Sequence, residues 1–179
     1  PILNQISSDL DVLRRSIYSN LAIHLKRNQD RGYEDLSLFE VGPTFYGMNP
    51  GDQQTMVGGL RSGKVARKSW IGKERNIDVF DIKADAIKTL IELGVEEKNL
   101  VVGDKTKYCY HPGRSGSINL KSEKGPLLAY FGEIHPAIVK KLDLKEPNIY
   151  GFEIFLININ EPNKKIRLNK KSFQASNFQ

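Results

Sequence analysis

The sequence predicts an α+β fold, an antiparallel sheet flanked by helices on at least one face. Three observations predict it. Stretches near 13–25 and 79–93 carry apolar residues at helical spacing, and several other short runs are strand-like. The links around 42–55 and 120–127 are short, and short links join only antiparallel neighbours. The 179 residues, 39% hydrophobic and 27% charged, have the length and balance of a globular domain rather than of a disordered chain.

In chain order, residues 1–6 read as a short extended piece. Leu13, Ile17, Leu21 and Leu25 then recur every four residues, which places them on one face of a helix. Ser16 or Ser19 is available to cap its start, and Gly32 to end it. Leu36–Val41 is too short for a helix and reads as a strand. Gly42-Pro43 is expected to end regular pairing, with 44–48 continuing past a bulge. Asn49-Pro50-Gly51-Asp52 is a turn, and Thr55–Leu60 the return strand. Residues 61–75 read as a basic loop or short helix around Trp70.

Val79, Ile82, Ala86, Leu90 and Leu93 form the clearest helical stripe. Asp78 and Asp81 stand at its positive end, and Gly94 closes it. Leu100–Val102, Ser115–Leu120, Leu127–Ile134 and Ile149–Ile159 read as strands. His135–Leu142 reads as a short helix with Pro136 in its first turn.

Composition and motifs narrow the chemistry. No apolar run approaches the roughly 18–20 residues that span a bilayer, so no membrane partner is expected. The single Cys109 cannot form an internal disulfide and suits a cytoplasmic chain. Pro1 at the start and a polar run over 170–179 read as a piece of something longer. The net charge of +6 weakly favours acidic partners. Its basic residues gather at Lys64, Arg67, Lys68, Lys73 and Arg75, and again at Lys164, Lys165, Arg167, Lys170 and Lys171. Both clusters read first as solvated charge, with phosphate contact as the competing reading.

Cys109, His111, His24 and His135 have no metal-ligand spacing, so no metal site is expected. Gly58-Gly59-Leu60-Arg61-Ser62-Gly63-Lys64 lacks the spacing of a phosphate loop and reads as a tight turn. In His111-Pro112-Gly113-Arg114-Ser115-Gly116, proline and glycine predict a turn that leaves Arg114 at the mouth of a strand. Arg114 is either an anion site or the partner of a carboxylate such as Glu133. Glu40 and Glu153 lie inside predicted strands. A catalytic carboxylate pair is possible chemistry, but nothing in the spacing sets their separation, and a pairing or edge role is the plainer reading.

Five strings stand in order: Ile6–Arg14, Asn28-Gln29-Asp30-Arg31-Gly32, Leu38-Phe39-Glu40-Val41-Gly42, His111–Ser115, and Tyr130-Phe131-Gly132-Glu133-Ile134-His135-Pro136. With Asp78-Val79-Phe80-Asp81-Ile82-Lys83 between them, the set resembles the bacterial phenylalanine–tRNA synthetase β subunit over nearly the whole chain. Two departures, Arg15 where that family often has proline and Asn20 where it often has Pro-Gly, bear on where the first helix starts.

The resemblance implies a class II aminoacyl-tRNA synthetase-like fold. It assigns residues 1–168 to a catalytic-like core and 169–179 to the start of a linker toward an anticodon-binding domain. It implies an (αβ)₂ ligase that charges tRNA(Phe) with phenylalanine, whose ATP and magnesium belong to the whole enzyme. No catalytic, cofactor-binding or metal-binding residue is then expected in this chain. The partners implied are the α subunit, a second αβ pair and tRNA(Phe). The first helix is expected to pack on α, with Ile17, Leu21 and Leu25 partly at that interface. The competing readings are an adenylating enzyme core and a free-standing basic RNA-binding module.

Overall fold

The computed structural model describes residues 14–47, 49, 51–66, 74–145 and 148–159. The expectations for residues 1–6, Leu13, Trp70, the 164–171 basic cluster and the 169–179 linker lie outside them. Six strands form one antiparallel sheet: β1 (Leu36–Phe45), β2 (Gln53–Ser62), β5 (Leu100–Gly103), β6 (Tyr110–Leu120), β7 (Leu127–Ile134) and β8 (Ile149–Phe155). Their spatial order is β1-β2-β8-β7-β6-β5. A separate two-stranded ribbon joins β3 (Lys64–Ala66) to β4 (Arg75–Asn76). The helices are α1 (Tyr18–Asp30), α2 (Val79–Glu92) and α3 (Pro136–Lys141).

Each face of the sheet has its own core. On one face α2 lays Ile82, Ala86 and Leu90 over Val57, Ile118, Ala129, Phe131, Phe152 and Ile154. On the other, α1 and α3 bring Ile17, Leu21, Leu25 and Val139 onto Met56, Leu60, Tyr110, Ile134 and Ile149. The two apolar stripes are thus spent on opposite sides of one sheet, whose central strands are buried on both faces.

Local chemistry explains where the helices begin and end. The Asp78 side chain accepts from the amides of Phe80 and Asp81 at 2.8 and 3.1 Å, and Asp81 accepts from the amide of Asp78 at 2.9 Å. This reciprocal pair satisfies first-turn amides that have no partner inside a helix. Beyond α1, Gly32 takes φ +87°, a conformation open to glycine at no steric cost. Before α3, the His135 ring nitrogen Nδ1 accepts from the amide of Ala137 at 3.2 Å.

Three sequence readings are corrected here. Pro43 does not end β1, which pairs with β2 without a break from Leu36 to Phe45. The strand is at the sheet edge, and the Pro43 carbonyl points outward to Arg14 Nε at 2.7 Å, so its missing N–H also faces away from the ladder. Gly58 and Gly59 are not turn residues but sit mid-strand in β2. An added Cβ at Gly59 would lie 2.6 Å from the Phe152 ring, so the glycine makes room for that ring. Finally, His111-Pro112-Gly113 does not precede a strand. It lies within β6, where the register jumps between the Tyr110↔Ile134 and Ser115↔Gly132 pairs. Glu133 alone faces the resulting bulge.

Candidate functional site

The segment that leads into α1, Arg14 to Ile17, crosses the sheet instead of standing clear of it. Cross-strand register places Glu40, Gly58, Glu153, Tyr130, Ser117 and Gly103 in one row across all six strands. Directly paired residues of an antiparallel sheet share a face, and this row faces α1. Arg14 forms an ion pair with Glu40. Ser16 Oγ donates to Glu153 Oε1 at 2.9 Å. Ile17 has no exposed surface, and its Cγ2 occupies the place that a side chain on Gly58 would need. Three of the six positions in the row are therefore covered by four consecutive residues.

Glu153 is the centre of this arrangement. It is 0% exposed in a strand whose other residues are apolar, aromatic or glycine. An unpaired carboxylate there would be costly, and both its oxygens are engaged. The second, Oε2, accepts from Lys107 Nζ at 2.8 Å. Lys107 arrives from the loop between β5 and β6. Burial pulls its pKa down, but the charge and hydrogen bond of Glu153 outweigh that and hold it above the usual lysine value.

Neutral groups surround the pair. The hydroxyls of Tyr18 and Tyr110 are 2.5 Å apart, and burial followed by neighbouring negative charge raises both phenols well above their ordinary pKa. Burial and Glu153 push the Cys109 thiol up to about 12, so it is protonated and unreactive at neutral pH. From here an apolar groove of about 370 Å³ runs between α1 and α3, past Ser16, Tyr18, Cys109, Ile134 and Ile138.

The other sequence candidates lie elsewhere. Arg114 sits in the β6 bulge and forks onto buried Glu133, with Nη2 donating to Oε1 at 2.7 Å and Nε donating to Oε2. Glu133 faces away from the Glu40–Glu153 row. Glu40 and Glu153 do share a row but stand two strands apart, with Gly58 and Ile17 between them. The row thus holds two separately paired carboxylates. Among the described residues no group of histidines, cysteines and carboxylates could hold a metal ion, and no helix is long and apolar enough to cross a membrane.

Ile17, Leu21 and Leu25 are 0%, 3% and 0% exposed within this one chain, and all three belong to its own core. The apolar side chains that the first helix and first strand leave in solvent are Ile23, Phe39 and Val41. In the first basic cluster, Lys64 pairs with Glu74, and Arg75 with Asp81 at 2.6 Å. Sequence reasoning singled out Glu153 but missed Lys107 and Ser16. The one available signal was a lone charge inside an otherwise uncharged strand, which requires a partner without saying which.

Residues 1–156 match the family model described as the phenylalanyl tRNA synthetase beta chain CLM domain. Proteins named phenylalanine–tRNA ligase beta subunit are similar along 99% of the chain: one from Rhodospirillum rubrum is 43% identical, and others from Paramagnetospirillum magneticum and Bartonella henselae are each 40% identical. The chain spans about 22% of the length of these relatives. Among solved structures, a pyrrolysyl tRNA synthetase from Desulfitobacterium hafniense superposes with a TM-score of 0.54 at 17% identity, over 80% of this chain and 47% of that one. That likeness establishes an aminoacyl-tRNA synthetase fold.

Proposed function

This chain belongs to the family of the phenylalanyl-tRNA synthetase β chain CLM domain, and from that premise we propose that it is a structural core domain that supports catalysis by another subunit. In this reading the parent β subunit assembles with α into an (αβ)₂ phenylalanine–tRNA ligase of the cytoplasm. The α subunit binds ATP and magnesium and activates phenylalanine, and tRNA(Phe) is charged by the whole assembly. Residues 1–168 form the core, and 169–179 begin the link toward an anticodon-binding domain.

One observation carries the non-catalytic reading. The central row of the sheet is covered by the chain's own groups, with Arg14 on Glu40, Ile17 on Gly58, and Ser16 and Lys107 on Glu153. A nucleotide or amino acid would have to displace ion pairs and a buried isoleucine to reach that face. Burying or exposing such groups singly costs several kcal/mol.

Contact with α is assigned to the exposed apolar groups of the edge strand, since the α1 stripe lies inside this chain. Phe39 and Val41 are 77% and 56% exposed and two residues apart, so they share one face of β1. Exposed neighbouring apolar residues of this size mark interaction surfaces.

The test is reconstitution of the full-length β chain with α. Phe39→Asp and Val41→Asp together are expected to reduce co-purification and phenylalanylation. This chain by itself is expected to give no phenylalanine-dependent ATP–pyrophosphate exchange. Exchange by this chain would overturn the non-catalytic reading, and undiminished assembly of the double variant would overturn the assigned surface. The RNA-binding alternative predicts tRNA affinity that falls steeply with salt. The pairing of Lys64 and Arg75 with carboxylates counts against it.

A further inference from the structure

Helix α2 carries two apolar stripes, and only one of them is spent on the sheet. Ile82, Ala86 and Leu90 have no exposed surface and form the core beneath the helix. Phe80, Ala84, Ile87 and Ile91 recur at steps of four, three and four residues, so they form a second line along another side. Ile87 is half-buried at the edge of the core, but Phe80 is 67% and Ile91 37% exposed. The spacing is that of a coiled-coil seam, with Phe80 and Ile87 at one of its two apolar positions and Ala84 and Ile91 at the other.

Two lysines border the seam. Lys83 precedes Ala84 and Lys88 follows Ile87, which puts one on each side of the line. Lys83 holds its Nζ 5.2 Å from the centre of the Phe80 ring. Neither lysine enters an ion pair among the described residues, and the acids nearest to them on the helix are taken: Asp81 by Arg75 at 2.6 Å and Asp85 by Arg61 at 2.9 Å. Lys88 also lines a cavity of about 280 Å³ between α2 and the edge strand β1, shared with Phe39 and Gly59. The seam is thus continuous with the apolar edge assigned above to contact with α.

We propose that the outer side of α2 is a docking seam for an amphipathic helix of the α subunit whose apolar stripe is flanked by carboxylates. Its apolar side chains pack between Phe80 and Ile91, and its Glu or Asp residues pair with Lys83 and Lys88. A second copy of this chain does not fit. In a parallel pair Lys83 of one copy meets Lys88 of the other, and in an antiparallel pair each lysine shares a flank with its own counterpart. Like charges so placed repel. A phosphate backbone would satisfy the lysines but leave the apolar line between them uncovered. An acidic-flanked helix answers both features at once.

This inference rests on the reading of α as the partner, and the two are tested by different variants. Loss of assembly in the Phe39 and Val41 variant but not in the α2 variants would sink the seam alone. Phenylalanine-dependent exchange by this chain would sink the scaffold reading without bearing on the α2 measurements.

The experiment titrates labelled α with full-length β and reads the dissociation constant. Phe80→Gln with Ile91→Gln removes the apolar line while keeping good helix formers, and is expected to weaken assembly about tenfold or more. Lys83→Glu with Lys88→Glu is expected to weaken it about tenfold at about 0.1 M sodium chloride and about twofold or less at about 0.5 M, where exposed charges are screened. Lys121→Glu with Lys124→Glu, an equal charge change in the exposed turn between β6 and β7, is expected to have little effect. Thermal midpoints of this chain carrying each pair of changes, matched to the unmodified chain, establish that the helix is intact. Should the glutamine pair melt early, the lysine pair alone decides. Four results overturn the proposal: α2 variants no weaker than the control, a lysine effect that does not shrink with salt, the same variants lowering the stability of full-length β without α, and a dimer of this chain that the glutamine pair abolishes.

Discussion

Replacing Gly58 with alanine tests the seating of the lead-in segment on the sheet. An alanine Cβ would fall on Ile17 Cγ2, closer than side-chain carbons approach, while the nearest backbone atom, the Phe152 carbonyl oxygen, stays at 3.5 Å. The conflict is thus with one methyl group. Overpacking of this kind costs roughly 1–3 kcal/mol, so Gly58→Ala is expected to destabilise by about 2 kcal/mol. Ile17→Ala removes a side chain with no exposed surface and is expected to cost about 3 kcal/mol. If the two were independent, the double variant would lose about 5 kcal/mol. In the structure the new Cβ enters space that the isoleucine methyl has left, so the double variant is expected to lose only about 3 kcal/mol. Urea denaturation of the four chains, followed by circular dichroism, supplies the cycle. Additivity to within about 0.5 kcal/mol would show that Ile17 does not sit on Gly58 and would remove the basis for a self-occupied face.

The same titration method addresses the buried pair. Lys107→Met leaves a fully buried carboxylate with only Ser16 as donor and is expected to cost about 3 kcal/mol. Adding Glu153→Gln is expected to recover much of that loss, and a double variant as unstable as the sum of the singles would speak against the pairing. Asp78→Ala removes the reciprocal cap of α2 and is expected to cost about 1 kcal/mol. An unchanged urea midpoint would show that the cap is idle. Stability is also expected to fall in alkali. Cys109, Tyr18, Tyr110 and Lys107 all have folded-state pKa values above their ordinary ones. In that case stability is intact below the unfolded values and declines as pH rises past them, because the unfolded chain releases protons that the folded chain keeps. Cys109 starts the decline near 9.0, its ordinary value, on the way to about 12. It contributes up to about 1.4 kcal/mol per pH unit. Unfolding curves for the chain and for Cys109→Ala between pH 7 and pH 10 should diverge above about pH 9; parallel curves would contradict the burial of the thiol.

Where the sequence was readable, the governing interactions are local. The stripe from Val79 to Leu93 needs only helical spacing, and its ends only the carboxylates and glycine beside them; the observed helix is Val79–Glu92. β7 has the bounds Leu127–Ile134 that its apolar run predicted. Antiparallel pairing followed from loop length. What was misread depends on position in the sheet. Pro43 breaks a central strand but not the outer side of an edge strand, and edge status is a property of the whole topology. Gly58 and Gly59 look like a turn until Ile17 and Phe152 are known to lie over them. The proline and glycine at 112–113 bend a strand and leave it paired at both ends. The site was hardest to read because its contacts are long-range. Glu153 meets Lys107 across 46 positions and Ser16 across 137, and no spacing rule reaches so far.

The start of α2 has a consequence for how the chain opens. Asp81 serves two structures at once. Its Oδ2 accepts from the amide of Asp78 at 2.9 Å, and both its oxygens take the Arg75 guanidinium from β4, at 2.7 and 2.6 Å. The ribbon of β3 and β4 and the first turn of α2 therefore share one carboxylate as a tether. Fraying of one releases a tether of the other, so this corner of the molecule opens as one cooperative unit. The far end of the same helix has no share in that tether; it is closed by the backbone bonds of Leu93, Gly94 and Val95, with Leu93 and Val95 packed against the core beneath α2.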